Sequence, residues 1–466
     1  MLVLCLCIMY GGYVFNGFGN GGAFGFLLML QAILLSIIGA TQVATAVGGA
    51  RESGIIDFHR VSPLSPLAVT LGFFFGAPVR EYALFLLTIP FSLFCVANDA
   101  PTLWGFVQSM VCLFLGAWLL HAVSLLAAVS SKKPKAGAKG VVGIIVFFLF
   151  FGGGQSGFLV MIRATSFLGE GATRDFYGLS LPWLLYVLLF AAPTLFFLML
   201  ASVRKMQSDR AHPYTKHEAA ICLTVLTVLA LGAVWADHGM RYLSLILLYV
   251  LVVFACVMVA TVTPNLGEFT KGVRRAGRLG VPHLGYWDDL ALNRVVLFVI
   301  CGIVLTGASI AWYFVEGRTD VGQMGPISYS VTIATGVLVV AYFGLALQFF
   351  QLIMPRRGTT MMALFIFLIW LVPPLVGAIS SGAGAGAGVG QFIAAISPMA
   401  GLAMSTDLGN GTGTTTLQAA TLLPALIFAF LFNNLVTVAR RRVVASVHAN
   451  TPGLAKPVVV IDPLAV

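Results

Sequence analysis

Charge is what this sequence has least of. Only 9% of its 466 residues are Asp, Glu, Lys or Arg, where soluble domains carry about 25%, so a water-soluble fold is excluded. Nucleotide-binding loops are missing as well. No G-x-x-x-x-G-K-[ST] stretch and no ABC signature loop occurs, so the chain does not bind ATP by the usual P-loop. The seven cysteines (5, 7, 95, 112, 222, 256 and 301) all lie in or beside apolar runs and form no C-x-x-C pair. They read as small core hydrophobes, and no disulfide framework or metal site is expected. His217-Glu218 begins like H-E-x-x-H, but position 221 is Ile, which removes a zinc protease.

What the chain has instead is apolar length. Residues of hydrophobic type make up 59% of it, in runs of the ~20 residues that cross a bilayer as helix. The runs are too long and too continuous for barrel strands. The expected fold is all-α, a polytopic membrane helix bundle of about twelve spans. We place them at 2–18, 23–48, 68–97, 104–129, 140–162, 182–203, 218–236, 241–261, 294–315, 329–353, 361–379 and 423–439. Residues 1–18 lack a basic n-region and read as a first span rather than a secretory signal. With the N-terminus in the cytoplasm, 22 of the 26 Lys and Arg fall inside; Arg163, Arg174, Arg241 and Arg318 fall outside. This positive-inside bias puts both termini in the cytoplasm, and a plasma (inner) membrane is the expected location. It also rejects splitting 68–97 into two crossings at Gly76-Ala77-Pro78; the stretch is read as one span at 82–97 preceded by an interfacial or kinked piece at 67–78, with Pro78 supplying the kink. The net charge of +10 then belongs to membrane topology and lipid headgroups, and no nucleic-acid partner is expected.

Twelve spans divide into two six-span halves, 1–217 and 218–440, followed by a tail at 441–466. Each half carries a charged inner segment after its second span. The first is 51–66. The second is the loop 262–293, with Lys271, Arg274, Arg275, Arg278, Asp288 and Asp289. Repeated halves are a common transporter plan. The outer segments 163–181 and 380–422 read as irregular; in the second, Gly382–Gly388 alternates glycine with alanine and reads as a flexible loop.

Ionisable groups inside spans usually mark ion coupling. Here they are nearly confined to Arg80-Glu81 and His121, which weakens a proton-coupled carrier. Uncharged polar groups are also sparse. Gln31, Gln108, Gln155, Gln348 and Asn433, with His121, are the candidates for a substrate path, and their scarcity points to an amphipathic or lipid-like cargo. Gly154-Gln155-Ser156-Gly157 resembles the G-x-S-G of rhomboid proteases, but His121 is followed at the needed spacing by Leu125, not Asn.

The first inner segment carries the most specific pattern. Span two ends in Ala50-Arg51-Glu52-Ser53-Gly54, and the chain continues through Asp57 and His59-Arg60 to Ser62-Pro63-Leu64-Ser65-Pro66. This resembles the type-2 ABC exporter permease family, over roughly residues 23–97. The resemblance implies a coupling helix that docks into the groove of a separate ABC ATPase subunit. Arg51, Glu52, Asp57, His59 and Arg60 would make charged contacts there. Gly54 would follow the basic-acidic pair, and Ser62, Pro63, Ser65 and Pro66 would set the exit turn, with the Ser62 hydroxyl able to cap. ATP would bind the partner, leaving no cofactor and no catalytic residue in this chain. The alternative is a secondary, ion-coupled transporter.

Overall fold

The structure, a computed structural model, describes residues 19–97, 101–131, 172–235, 243–281, 284–316, 326–382, 390, 393–394, 396–397 and 414–449. The chain forms two units, Met1–Pro213 and Tyr214–Val466.

In the first unit, helix α1 (Gly19–Ala32) passes through a π-type turn (Ile33–Ile38) into α2 (Gly39–Glu52). Gly54, at φ 75°, adopts the left-handed conformation that glycine tolerates and turns the chain into the short helix α3 (Ile55–Val61). Ser65 starts α4 (Pro66–Gly76): its side-chain oxygen accepts from the Ala68 N–H at 3.2 Å. Pro66 fills the first helical position, where a missing N–H is no loss. Ser62 caps too, but at a C-terminus, donating its hydroxyl to the His59 carbonyl at 2.8 Å.

The stretch 68–97, expected as one span at 82–97 preceded by an interfacial or kinked piece at 67–78, divides close to that boundary, with a separate short helix before the span Val79–Ala97 and one further break inside it. α4 stops at Gly76, and α5 (Val79–Leu86) and α6 (Ile89–Ala97) follow. Pro78 precedes α5 and Pro90 is the second residue of α6; neither can donate a backbone hydrogen bond. Helix α7 (Leu103–Ser130) then packs along α2. Small residues sit in this contact beside Val43, Val47 and Leu125. Ala40, Ala44 and Gly48 repeat every fourth position on the buried face of α2, opposite buried Ala117, Ala122 and Ala128. Lipid is as apolar as a core, so close van der Waals approach rather than water exclusion holds such helices together. The segment expected as irregular at 163–181 contains an antiparallel hairpin, β1 (Thr173–Phe176) and β2 (Leu179–Pro182). Tyr177 and Gly178, both at positive φ, form its two-residue turn. It leads into α8 (Trp183–Gln207).

The second unit comprises α9 (Lys216–Trp235), α10 (Leu243–Val262), α11 (Leu266–Arg278), α12 (Arg294–Glu316), α13 (Pro326–Ile353), α14 (Gly358–Ile366), a π-type turn (Phe367–Leu371), α15 (Val372–Gly382) and α16 (Thr414–Ala449). α13 packs extensively on α16 and also meets α10 and α12. At Gly344 a Cβ would stand 2.7 Å from the Leu297 side chain, so these helices cross closely. Pro374 cannot bond back to Trp370, whose carbonyl accepts from the Ser397 hydroxyl at 2.7 Å. α16 runs unbroken through residue 440, where the sequence placed a boundary before the tail.

Among the described residues nine helices are long and apolar enough to cross a membrane. A tenth crossing is added if α10 and α11, bent by 59° at 263–265, count as one. Large side chains such as Phe298, Phe430 and Phe196 are exposed on these helices, as lipid-facing surfaces require. The chain is a helical integral membrane protein. The expected spans at 2–18 and 140–162 lie outside the described residues.

Candidate functional site

The segment 51–66 is held to its own unit by the arginines expected to meet a partner. Arg51 donates through Nη1 to the Val129 and Ser131 carbonyls, the latter at 2.7 Å, and through Nη2 to the Asp209 carboxylate. Arg60 donates from Nε to the Met206 carbonyl at 3.0 Å and from Nη2 to the Lys205 carbonyl at 3.2 Å; its Nη1 reaches Asp57 at 2.6 Å. Helix C-termini leave their last carbonyls unpaired and partly negative. Arg51, at the end of α2, therefore clasps the end of α7, and Arg60 ties α3 to the end of α8. Lys205 Nζ closes the end of α8 further by donating to the Asp209 and Ala211 carbonyls at 2.7 and 3.0 Å.

What this clasp leaves facing outward is apolar. Phe58 is 68% exposed and Val61 83%, with Ile55 and Leu64 exposed beside them, while Ile56 anchors the inner face of α3. Glu52, Ser53 and Asp57 are exposed at the same end. A cavity of about 180 Å³ is lined by residues that include Ile56, His59, Arg60, Leu64, Met206 and Gln207. His59 Nδ1 is buried without a hydrogen-bond partner among the described residues. The turn Ser62–Pro66 carries exposed Pro63 and Ser65.

Deeper in the first unit lies a polar cluster that the sequence touched only in part. Gln31 is fully buried and donates from Nε2 to the hydroxyls of Thr88 and Ser92, at 2.8 and 2.9 Å. Thr88 lies at the break between α5 and α6, and Ser92 in the first turn of α6. Gln108 is buried with Oε1 unpartnered among the described residues. His121 Nε2 donates to the Leu35 carbonyl at 2.8 Å, and its Nδ1 faces the Tyr82 hydroxyl at 3.5 Å. Leu35 belongs to the π-type turn, where Gly39 N–H turns instead to the carbonyls of Leu34 and Ser36. Gly39 also gives the imidazole room: a Cβ there would lie 2.5 Å from Nε2. Glu81 is 0% exposed. Its Oε1 accepts from Arg80 Nη2 and Nε at 2.8 and 3.0 Å, and its Oε2 has no partner among the described residues.

In the second unit, the expected loop 262–293 is mostly ordered by internal bonds. Asn265 and Glu268 cap α11 reciprocally, at 3.0 Å to the Glu268 N–H and 2.8 Å to the Asn265 N–H. Phe269 packs with Leu352 and Ala439, while Lys271, Arg274, Arg275 and Arg278 lie exposed on the other faces of α11. The two aspartates are turned into the fold. Asp288 Oδ1 accepts from the Leu290 N–H at 2.9 Å, its Oδ2 lies 3.7 Å from Arg275, and Asp289 accepts from the Lys216 N–H at 3.3 Å. Lys216, fully buried, ties the loop from the start of α9. Its Nζ donates to the carbonyls of Asp288, Ala291 and Tyr286 at 2.7, 2.8 and 3.3 Å. Burial pushes the neighbouring Tyr214 hydroxyl up from its ordinary range. His217 stacks on Trp287 with ring centres 4.5 Å apart. Of the remaining path candidates, Gln348 is buried, Asn433 is exposed, and Gln155 lies outside the described residues.

Among the described residues, these features belong to a helical membrane protein with a short helix exposing an apolar face and with buried ionisable side chains. Compared with protein-family models, curated proteins and solved structures, the chain matches none.

Proposed function

We propose that the chain is the membrane-spanning permease subunit of an ABC-type exporter, driven by separate ATPase subunits. It would carry twelve spans in two six-span halves, with both termini in the cytoplasm of a cell whose plasma membrane holds it. α3 is the coupling helix. The observation that carries this reading is that α3 exposes Phe58 and Val61 while Arg60 binds it to the end of α8, and Arg51, just before it at the end of α2, binds the end of α7. Force applied to such a projection reaches three long helices at once, which a merely polar loop would not achieve. Ile55, Phe58, Val61 and Leu64 supply apolar docking contacts, ringed by Glu52 and Asp57. Arg51 and Arg60 thereby change role, from partner contacts to internal clasps. The loop 262–293 takes the corresponding place in the second half but presents a basic helix face, so two ATPase contacts would be unlike. Sparse buried polar groups fit an amphipathic or lipid-like cargo.

One observation favours an ion-coupled transporter instead, the full burial of Glu81 and His121 in the first unit. Purification of the tagged chain from its native membrane, followed by an ATP-hydrolysis assay on the complex, separates the two. Vanadate-sensitive hydrolysis by a co-purifying P-loop subunit is expected. Transport by the chain alone, driven by an ion gradient, would overturn the ATPase reading.

A further inference from the structure

We propose that the basic face of α11, with the arginines that follow α13 and those of α16, forms a binding site for anionic phospholipid headgroups of the adjoining leaflet. This needs only the membrane fold of the second unit and does not depend on the ATPase reading, which concerns the energy source.

The three elements meet at one place. Phe269 of α11, Leu352 near the end of α13 and Ala439 of α16 share one buried contact, with Val443 and Val444 packed against it. α11 leaves the apolar helix α10 at a bend of 59°. Its Phe269, Gly272 and Ala276 are buried, and a Cβ on Gly272 would stand 2.8 Å from the Leu290 carbonyl oxygen. That close seat fixes the rotation of α11 and leaves Lys271, Arg274 and Arg278 exposed. Just beyond Leu352, Arg356 and Arg357 are exposed in a tight turn. The Arg357 N–H donates to the Met354 carbonyl at 3.1 Å, and a Cβ on Gly358 would lie 2.8 Å from the Phe350 carbonyl oxygen. This turn joins two helices able to cross a membrane, Ser330–Ile353 and Gly358–Ser380, so it sits at headgroup depth. Arg441 and Arg442 are exposed just past Ala439.

None of these seven side chains has a hydrogen bond or an ion pair among the described residues. The nearby acids are engaged elsewhere. Glu218 accepts from the Thr215 N–H at 2.7 Å, Glu268 caps α11, Asp289 accepts from the Lys216 N–H, and Asp288 faces Arg275. Positive charge gathered without a counter-charge attracts an external anion, and clusters of roughly four to eight Lys and Arg beside a span attract anionic lipid. The exporter reading turns the loop 262–293 toward a second ATPase, but its basic residues have a nearer anion in the leaflet itself. Apolar neighbours favour lipid over an acidic protein groove. Leu279 (62% exposed) and Val281 follow Arg278, Ile353 and Met354 precede Arg356, and Val438 precedes Arg441, all exposed. A phosphate held by the forked guanidinium groups would lay its acyl chains along these side chains.

Native mass spectrometry of the full chain tests this, after delipidation in neutral detergent and titration with palmitoyl-oleoyl phosphatidylglycerol or phosphatidylcholine. The wild type is expected to prefer phosphatidylglycerol by about tenfold or more. Arg274→Gln, Arg278→Gln and Arg356→Gln combined should weaken phosphatidylglycerol on the order of 100-fold, at about fivefold per basic group. Phosphatidylcholine binding should not change. Arg210→Gln, an exposed change in the first unit, should bind both lipids like the wild type. Equal affinity for the two lipids, or a preference unchanged in the triple variant, would overturn the site. Displacement of phosphatidylglycerol by equimolar glycerol 3-phosphate would assign the face to a soluble anion instead. Loss of a co-purifying ATPase from the triple variant, with its lipid preference intact, would assign it to an acidic protein groove. If the triple variant fails to fold, hydrogen exchange on the wild type decides. Exchange over 266–281 should be slower in phosphatidylglycerol nanodiscs than in phosphatidylcholine ones, and equal exchange refutes the site.

Discussion

Replacing Arg60 by Ala removes half of the clasp that fixes α3, and the consequence can be sized. Two bonds from a charged donor to the Met206 and Lys205 carbonyls are lost. Each such bond contributes roughly 1.5–3 kcal/mol when buried, but these carbonyls end a helix at the surface, where water can replace the donor, and the Arg60 side chain is 19% exposed. The pair with Asp57, itself 72% exposed, adds at most a few tenths of a kcal/mol after screening. A net loss of about 2 kcal/mol follows, which raises the local opening equilibrium of α3 about 30-fold. Hydrogen exchange reads this directly, because the Phe58 and Ser62 amides bond to the Gly54 and Phe58 carbonyls only while α3 is formed. Arg60→Lys should fall between, since an ammonium cannot fork to both carbonyls. Exchange in the peptide covering 53–62 that stays within about twofold of wild type in Arg60→Ala would refute the clasp.

Three further outcomes are expected. Gly39→Ala forces a methyl to within 2.5 Å of the His121 ring and should lower stability by about 1–3 kcal/mol, seen as a lower unfolding temperature in detergent. Lys216→Ala strips the donor from three carbonyls in the loop before α12 and should destabilise by about 2–4 kcal/mol, with faster proteolysis between Leu284 and Asn293 as its signature. Gln31→Leu removes two interhelical bonds, yet such bonds average only about 0.6 kcal/mol in membranes. Its unfolding midpoint should move far less than that of Gly39→Ala.

Apolar spans were legible because a bilayer imposes a length and forbids unpaired backbone, so composition alone carries them. The Ser-Pro-Leu-Ser-Pro turn was also legible as a turn, although the N-cap duty fell to Ser65, directly before a proline at the first helical position. Long-range polar contacts were not legible. Arg51 and Arg60 looked like surface charges for a partner, and nothing near them in sequence announced carbonyls at 129, 131, 205 and 206. The contacts of Asp288 and Asp289 were not legible for the same reason, since Lys216 is more than seventy residues away. The π-type turn at 33–38 leaves no pattern among Ile, Leu and Ser, yet it is what offers Leu35 to His121. The hairpin at 173–182 was read as irregular because one Tyr-Gly pair between short mixed strands is a weak signal.

The coupling role of α3 is tested most directly by charging its tip. Phe58 and Val61 are exposed, so Phe58→Asp with Val61→Asp leaves the fold intact, with stability inside about 0.5 kcal/mol of wild type. ATP hydrolysis co-purifying with the tagged chain should fall to background in this variant and persist in the wild type. Hydrolysis and association unchanged by the two aspartates would contradict α3 as the ATPase contact.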